Sequence, residues 1–193
     1  MKQPFTGYAD FQKLAYEDEQ LDCVVATDVF EHVREDDKAF SEVFRVLKQD
    51  GVFIMTVPYD HDWAKTLIRV KPEGEKDVFL LPPEYHGGGG QTLAYRTYGR
   101  DLLARLHNHS FSVGYIDLEA PHFCIVRQFV FVASKSNSID LGKYYTSGDH
   151  VPVEKRINAS PLVLFRIWIM VKYNMYSVRH FASEVVRKIK DKF

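Results

Sequence analysis

The sequence predicts an α/β domain built on a partial sheet of about four strands, mixed with an antiparallel last strand, and followed by a helical tail. Three observations carry this reading. Two apolar, β-branched runs at 21–27 and 52–57 flank a stretch with helical periodicity, the sequence form of a strand-helix-strand unit. Two further strand-like runs, 111–118 and 126–133, follow a second helical stretch. Beyond a Gly/Asp/His turn at 148–150 the sequence becomes apolar and basic. The expected division is an α/β domain over 1–140 and a linker with a basic amphipathic tail over 141–193.

Each element has a local cause. The run Leu-Asp-Cys-Val-Val-Ala-Thr at 21–27 follows the acidic loop Glu17-Asp18-Glu19 and reads as a buried strand. In 34–48, Phe40, Val43, Phe44 and Leu47 repeat at helical spacing, with Asp36 and Asp37 in the first turn and Lys48 in the last, as the helix dipole prefers. Asp50-Gly51 ends that helix, and Val-Phe-Ile-Met-Thr-Val at 52–57 forms a second strand closed by Pro58. Apolar residues throughout both strands predict a sheet covered on both faces. Residues 60–96, with Pro72, Pro82, Pro83 and the glycines 87–90, read as a long excursion. A helix over 98–109 is expected with Thr97 as N-cap. In the tail, Ser160-Pro161 opens a helix over 161–178 that Arg166 and Lys172 keep from being a continuous membrane span. Packing on the domain or on a partner subunit, lying in a membrane interface, and spanning are the three readings of that segment.

Composition narrows the function classes. The chain has 193 residues, 46% hydrophobic and 26% charged, which is a globular profile and excludes a disordered, collagen-like or cystine-rich protein. Net charge is -1, so no global field draws the protein to nucleic acid. The charge is polarised: residues 1–60 hold 6 basic against 13 acidic residues, and 151–193 hold 9 against 3. Such a tail meets the acidic front or an anionic partner, or is a solvated basic helix. Cys23 and Cys124 sit in apolar runs as buried free thiols, and the start MKQPFTGYADF lacks the apolar core of a signal peptide. A cytoplasmic protein, with the option of peripheral membrane attachment, is the expectation.

The stretch 21–58 carries the chemistry. It contains Asp22, then Phe30-Glu31-His32-Val33, then Glu42-Val43-Phe44-Arg45-Val46-Leu47-Lys48, then Gly51 and Pro58. It resembles the central segment of class I S-adenosylmethionine-dependent methyltransferases, of the type 11 group. That group usually has Gly where Asp50 stands here. Upstream, 10–19 resembles the loop that passes the cofactor's adenine, although Lys13 stands where an acidic residue is common. Downstream, 83–87 and 95–103 resemble a substrate-side loop and the next helix. The likeness covers about 8–135.

The resemblance implies a Rossmann-like sheet, S-adenosylmethionine as cofactor and methyl transfer to a small-molecule acceptor. It implies Leu14, Thr27, Asp28, Phe30 and Glu31 at the cofactor, Pro58, Tyr59, Tyr85 and Arg96 at the acceptor, and His32 and His86 as candidate bases. Ordinary roles compete: His32 bonding within its turn, Glu31 capping a helix N-terminus, and His86 as part of a lid or of a plain loop. No metal ligand set is assigned. Asp60-His61-Asp62 reads as a solvated loop, because neighbouring positions do not converge from a regular element. The four glycines lack the strand and Lys-Ser/Thr of a phosphate loop, and His107-Asn108-His109 falls at a helix end without a nuclease setting.

The family's first strand and its glycine-rich turn have no counterpart before residue 21. The chain is therefore expected to start just ahead of the family's fourth strand, leaving 21–27 as an open apolar edge for the tail or a second copy to cover. A non-catalytic remnant used for association or at a membrane surface is the alternative to an enzyme.

Overall fold

The computed structural model describes residues 9–86, 92–120 and 125–136. Strand β1 (Leu21–Thr27) leads through a 3₁₀ turn (Phe30–His32) into helix α1 (Asp36–Val46) and then strand β2 (Leu47–Thr56). After the excursion come helix α2 (Asp101–Asn108) and strands β9 (Ser112–Ala120) and β10 (Ile125–Ser134), the numbers between being taken by six short strands described below. The four long strands form one sheet in the order β1-β2-β10-β9. β1 and β2 are parallel, and β10 runs antiparallel between β2 and β9. The predicted four-stranded mixed sheet, with the last strand reversed and β1 at an edge, is what forms.

Packing explains the helix assignments. Phe40, Val43 and Val46 of α1 and Leu102, Leu103 and Leu106 of α2 join one core with Val24, Ala26, Phe53, Met55, Phe131 and Ala133 of the sheet. Phe30 stands at its centre, stacked 4.9 Å from Phe40 and tilted 5.2 Å from Phe11. The opposite sheet face gathers a smaller cluster, Val52 and Val132 with Ile54 and Ile116. No described helix residue joins that second cluster, so the expected cover on both faces is met on one face only among the described residues. The apolar run alone did not say where the second cover lies.

Helix α1 also pins the upstream loop. Glu42 Oε2 accepts the Leu14 N–H at 2.9 Å, and Arg45 donates to the carbonyls of Tyr16 (2.8 Å) and Leu14 (3.0 Å) and to Asp18. α1 ends two residues short of the predicted limit, so Lys48 lies in β2 rather than in a last helical turn, where it pairs with Asp22 at 2.8 Å. A Cβ on Gly51 would lie 2.9 Å from the Lys48 carbonyl, which is why β2 takes glycine where its pairing with β1 is irregular, between Leu47 and Val52.

The excursion is not a plain loop. Its described residues form three two-stranded ribbons: β3 (Leu67–Ile68) with β8 (Arg96–Thr97), β4 (Val70–Glu73) with β5 (Lys76–Phe79), and β6 (Tyr85–His86) with β7 (Thr92–Leu93). Arg34 fastens the second ribbon to the domain through Asp77 (2.8 Å) and the carbonyls of Gly74 and Lys76. Thr97 is a strand residue, and α2 begins four residues later, so Thr97 does not cap it. Short ribbons of two to four residues leave too little periodicity to read in advance. The glycines 87–90, Cys124 and the whole tail segment 161–178 lie outside the described residues. No helix among the described residues is long and apolar enough to cross a membrane.

Candidate functional site

A cleft of about 750 Å³ opens at the carboxyl ends of β1 and β2, the place where open α/β sheets hold ligands. The chain leaves β1 through Asp28, whose φ of 51° is left-handed. Its N–H donates to the Thr56 carbonyl at 2.9 Å, and the Thr56 hydroxyl donates to its carboxylate at 3.3 Å. This tight turn throws the Phe30–His32 turn over the strand ends, and brings Glu31 and His32 to the cleft wall.

Glu31 is fully buried, yet neither of its carboxylate oxygens has a hydrogen-bond partner. Burial, with the charge of Asp28 nearby, pushes its carboxyl up to about 7. His32 Nε2 stands 3.6 Å from Glu31 Oε1, and its Nδ1 lies 2.8 Å from the Leu93 carbonyl. A carbonyl only accepts, so Nδ1 carries the proton and Nε2 presents its lone pair toward Glu31. The His86 ring sits 4.6 Å from that of His32. One ligand atom each from Glu31, His32 and His86 lie within 4.8 Å of one another.

The facing wall comes from β2 and β10. Pro58 and Tyr59 follow β2, and the Tyr59 ring packs edge-on to Phe129 (4.9 Å) and Phe131 (5.0 Å). That burial pushes the Tyr59 phenol up to about 12. His61 stacks on Phe129, and its Nε2 is 3.2 Å from Arg127 Nη1 and 3.1 Å from Asp62 Oδ1. Arg127 is held in turn by Asp117 at 2.9 Å.

Of the expected site residues, Asp28, Glu31, His32, Pro58, Tyr59 and His86 meet at this cleft. Five do not. Phe30 and Leu14 are core side chains, and Thr27 is half-buried opposite Thr56 in the β1–β2 ladder. Tyr85 is half exposed on β6, away from the cleft wall. Arg96 is 3% exposed and spends its guanidinium on the carbonyls of Phe30 (3.0 Å), Val33 (2.6 Å) and Arg34 (2.8 Å). It is a clamp on the turn that carries Glu31 and His32. Of the ordinary roles, His32 does not bond within its turn, and Glu31 caps no helix.

Other residues were missed. Asp60, His61 and Asp62 line the cleft and bring their ligand atoms within 4.8 Å, because a turn in which Asp60 accepts the Asp62 N–H (2.9 Å) folds them together. The objection from regular elements does not apply to a turn. Arg127, Gln128 and Phe129 reach the cleft because β10 inserts beside β2, a pairing no local motif announces. His107-Asn108-His109 is structural at its last member, where His109 bonds Ser41 (3.1 Å) and Asp37 (3.3 Å).

Residues 4–55 match the model of a family described as methyltransferase domain. Comparison with curated proteins gives no match. Among solved structures, the chain is similar to the 1,6-didemethyltoxoflavin-N1-methyltransferase of Burkholderia thailandensis, solved with bound 1,6-didemethyltoxoflavin and S-adenosylhomocysteine, at 16% identity over 65% of this chain and 48% of that one, TM-score 0.40. It is similar to the PH0226 protein of Pyrococcus horikoshii OT3 at 22% identity over 66% of this chain and 60% of that one, TM-score 0.40. It is also similar to the [4+2]-cyclase SpnF at 16% identity over 67% of this chain and 56% of that one, TM-score 0.44. The likeness thus spans between about half and three fifths of each of these proteins. The segment 4–55 is thus similar to methyltransferase-domain sequence.

Proposed function

We propose that the cleft serves S-adenosylmethionine-dependent methyl transfer to a small-molecule acceptor, within an α/β unit spanning 1–140. The observation that carries this reading is the convergence of Asp28, Glu31 and His32, all from the family-matched segment or its immediate fold context, on the ligand-binding end of the sheet. The residues suit one end of the cofactor. A buried, unpartnered carboxylate at Glu31 beside Asp28 favours a cation, as the sulfonium and ammonium of the methionine end would supply. No glycine lines the described cleft, so the adenosine end has no close backbone cradle among the described residues.

When bound, the cofactor supplies an electrophilic methyl group. The chain's own residues then hold the acceptor close, aligned and shielded from water. Pro58, Tyr59 and Phe129 give the apolar wall for the acceptor. His32, with Nδ1 fixed by the Leu93 carbonyl and Nε2 beside Glu31, is the first candidate base for the acceptor's proton, and His86 stands beside it as the second. The even charge balance favours a small acceptor over a nucleic acid.

Titration calorimetry of the full chain with S-adenosylhomocysteine tests this. Saturable heat, weakened roughly tenfold or more in Glu31→Gln by loss of a charge-assisted contact, supports the reading. Absence of heat with the wild-type chain overturns it as a stand-alone activity. Among the described residues β1 is an edge strand, which favours a second reading for that outcome, an association module whose edge is covered by the tail or by a second copy. Lipid co-sedimentation of the intact chain against one ending at Asp149 separates a membrane-surface role for 161–178 from these.

A further inference from the structure

The carboxylate of Glu31 is a donor set without a recipient. Both oxygens are buried and unpartnered, on a wall of the cleft, and two imidazoles face the same point. Asp36, also buried, is by contrast satisfied by Tyr98 and Arg105. A buried ionised carboxylate without a partner is strongly unfavourable, and a bound cation removes that penalty.

We propose that Glu31, His32 and His86 hold a divalent transition-metal ion of the zinc class, with its remaining position open to the cleft. The donor set is one carboxylate and two imidazoles, a combination that suits zinc and leaves a coordination position free in tetrahedral geometry. Zinc bonds of about 2.0–2.2 Å to N and O place neighbouring ligand atoms roughly 3.3–3.6 Å apart. The Glu31 to His32 separation of 3.6 Å already meets that spacing. His86, partly exposed on the short β6 strand, lies within 4.8 Å of both. The orientation of His32 fits as well: its Nδ1 binds the Leu93 carbonyl, the outer contact that fixes a metal-binding imidazole with Nε2 toward the ion. Asp28, on the same wall, adds negative potential. Arg96, the nearby cation, is committed to three main-chain carbonyls.

The inference goes beyond methyl transfer, because it concerns binding in the absence of cofactor and acceptor. The second trio, Asp60, His61 and Asp62, is the internal control: it is largely exposed, and none of its oxygens is orphaned by burial.

The test is calorimetric titration of Zn²⁺ into the untagged full chain after removal of metal with a chelator. One equivalent should bind, and the affinity should fall roughly 100-fold in His86→Ala and in Glu31→Gln, at least the loss that removal of an outer-shell partner brings. His61→Ala should bind as the wild type does. Co²⁺ in place of Zn²⁺ should give the visible absorption of a low-coordinate site, lost in His86→Ala. Circular dichroism checks that each variant is folded, and the surface position of His86 makes its variant the decisive one. No binding by the wild type, binding unchanged in His86→Ala, or binding lost in His61→Ala each overturns the proposal. None of these outcomes bears on binding of S-adenosylhomocysteine by the metal-free chain.

Discussion

The Glu31 carboxylate lies 3.6 Å from Nε2 of His32, and no described residue gives either of its oxygens a hydrogen bond. This arrangement favours the neutral acid in the folded chain. The Glu31 carboxyl rises from its ordinary 4.5 to about 7 on burial, while the unfolded chain keeps the ordinary value. Between those values the native state binds more protons than the unfolded state, so stability falls as pH rises. The loss begins near the unfolded value and is complete above the folded one, amounting to about 3 kcal/mol. Urea denaturation across that range in chelator-treated buffer should show the decline in the wild type and its absence in Glu31→Gln. An equal slope in both proteins would remove Glu31 as its source.

The sheet was legible because it rests on local patterns. The runs at β1 and β2 and the helical spacing of Phe40, Val43 and Leu47 each state their own burial, and all three of these side chains are buried. The turn residues of the site, Asp28 to His32, were legible through the resemblance. What was not legible depends on distant contacts. Arg96 and Tyr85 share one short stretch with the cleft's His86, yet Arg96 turns inward because three carbonyls in and just after the 3₁₀ turn lie within its reach. Phe30 is adjacent to Glu31, but a turn of this kind sends neighbouring side chains to opposite sides, one to the core and one to the cleft. Arg127 and Phe129 depend on the position of β10 between β2 and β9, which only the pairing decides.

Arg96 should be a stability residue that reports on the site. Its buried guanidinium satisfies the carbonyls of Phe30, Val33 and Arg34 and lies 3.5 Å from Asp36. Arg96→Met takes the guanidinium away from the Val33 and Arg34 carbonyls, while the Phe30 carbonyl keeps the Val33 N–H and the Tyr98 hydroxyl, at roughly 3–5 kcal/mol for two hydrogen bonds to a charged group. Chemical denaturation measures the loss. Hydrogen exchange at His32 and Val33, whose N–H groups bond Val29 and Phe30 within the turn, should speed up if the clamp holds the turn. A stability loss under about 1 kcal/mol, the worth of a typical single hydrogen bond, would refute the clamp.

Arg45 should hold the loop at 10–19 rather than the helix on which it sits. It donates to the carbonyls of Leu14 and Tyr16 and to Asp18 and Glu42, all from one guanidinium fork. The side chain is partly exposed, so solvent screening reduces each contact, and Arg45→Ala is expected to lower stability only slightly. Proteolysis, however, should shift to the loop, with new cleavage between residues 13 and 19. Lysine at this position cannot reproduce the fork and should rescue little. Unchanged cleavage sites in Arg45→Ala would show that Leu14's packing and its N–H bond to Glu42 hold the loop without the Arg45 fork.

Gly99 ties the cleft to the start of α2 by the closeness of its backbone to the 63–65 segment. A Cβ there would lie 2.6 Å from the carbonyl carbon and oxygen of Lys65 and 2.8 Å from the Trp63 carbonyl. These are main-chain atoms, so no side-chain rotation relieves the clash, and the segment itself must move. Overpacking of this kind is worth about 1–3 kcal/mol, and Gly99→Ala should lose stability in that range. The displaced segment carries Trp63 and follows directly on Asp60, His61 and Asp62, which line the cleft. In a Trp168→Phe background, where Trp63 is the sole indole, Gly99→Ala should therefore shift the tryptophan emission of the folded protein. Gly74→Ala supplies the contrast. Its φ of 60° strains any side chain, but a Cβ there meets nothing within 4 Å, so it should lower stability by about 1 kcal/mol without moving the emission. An emission change common to both variants would mean that Trp63 responds to lowered stability in general and not to the contact at Gly99.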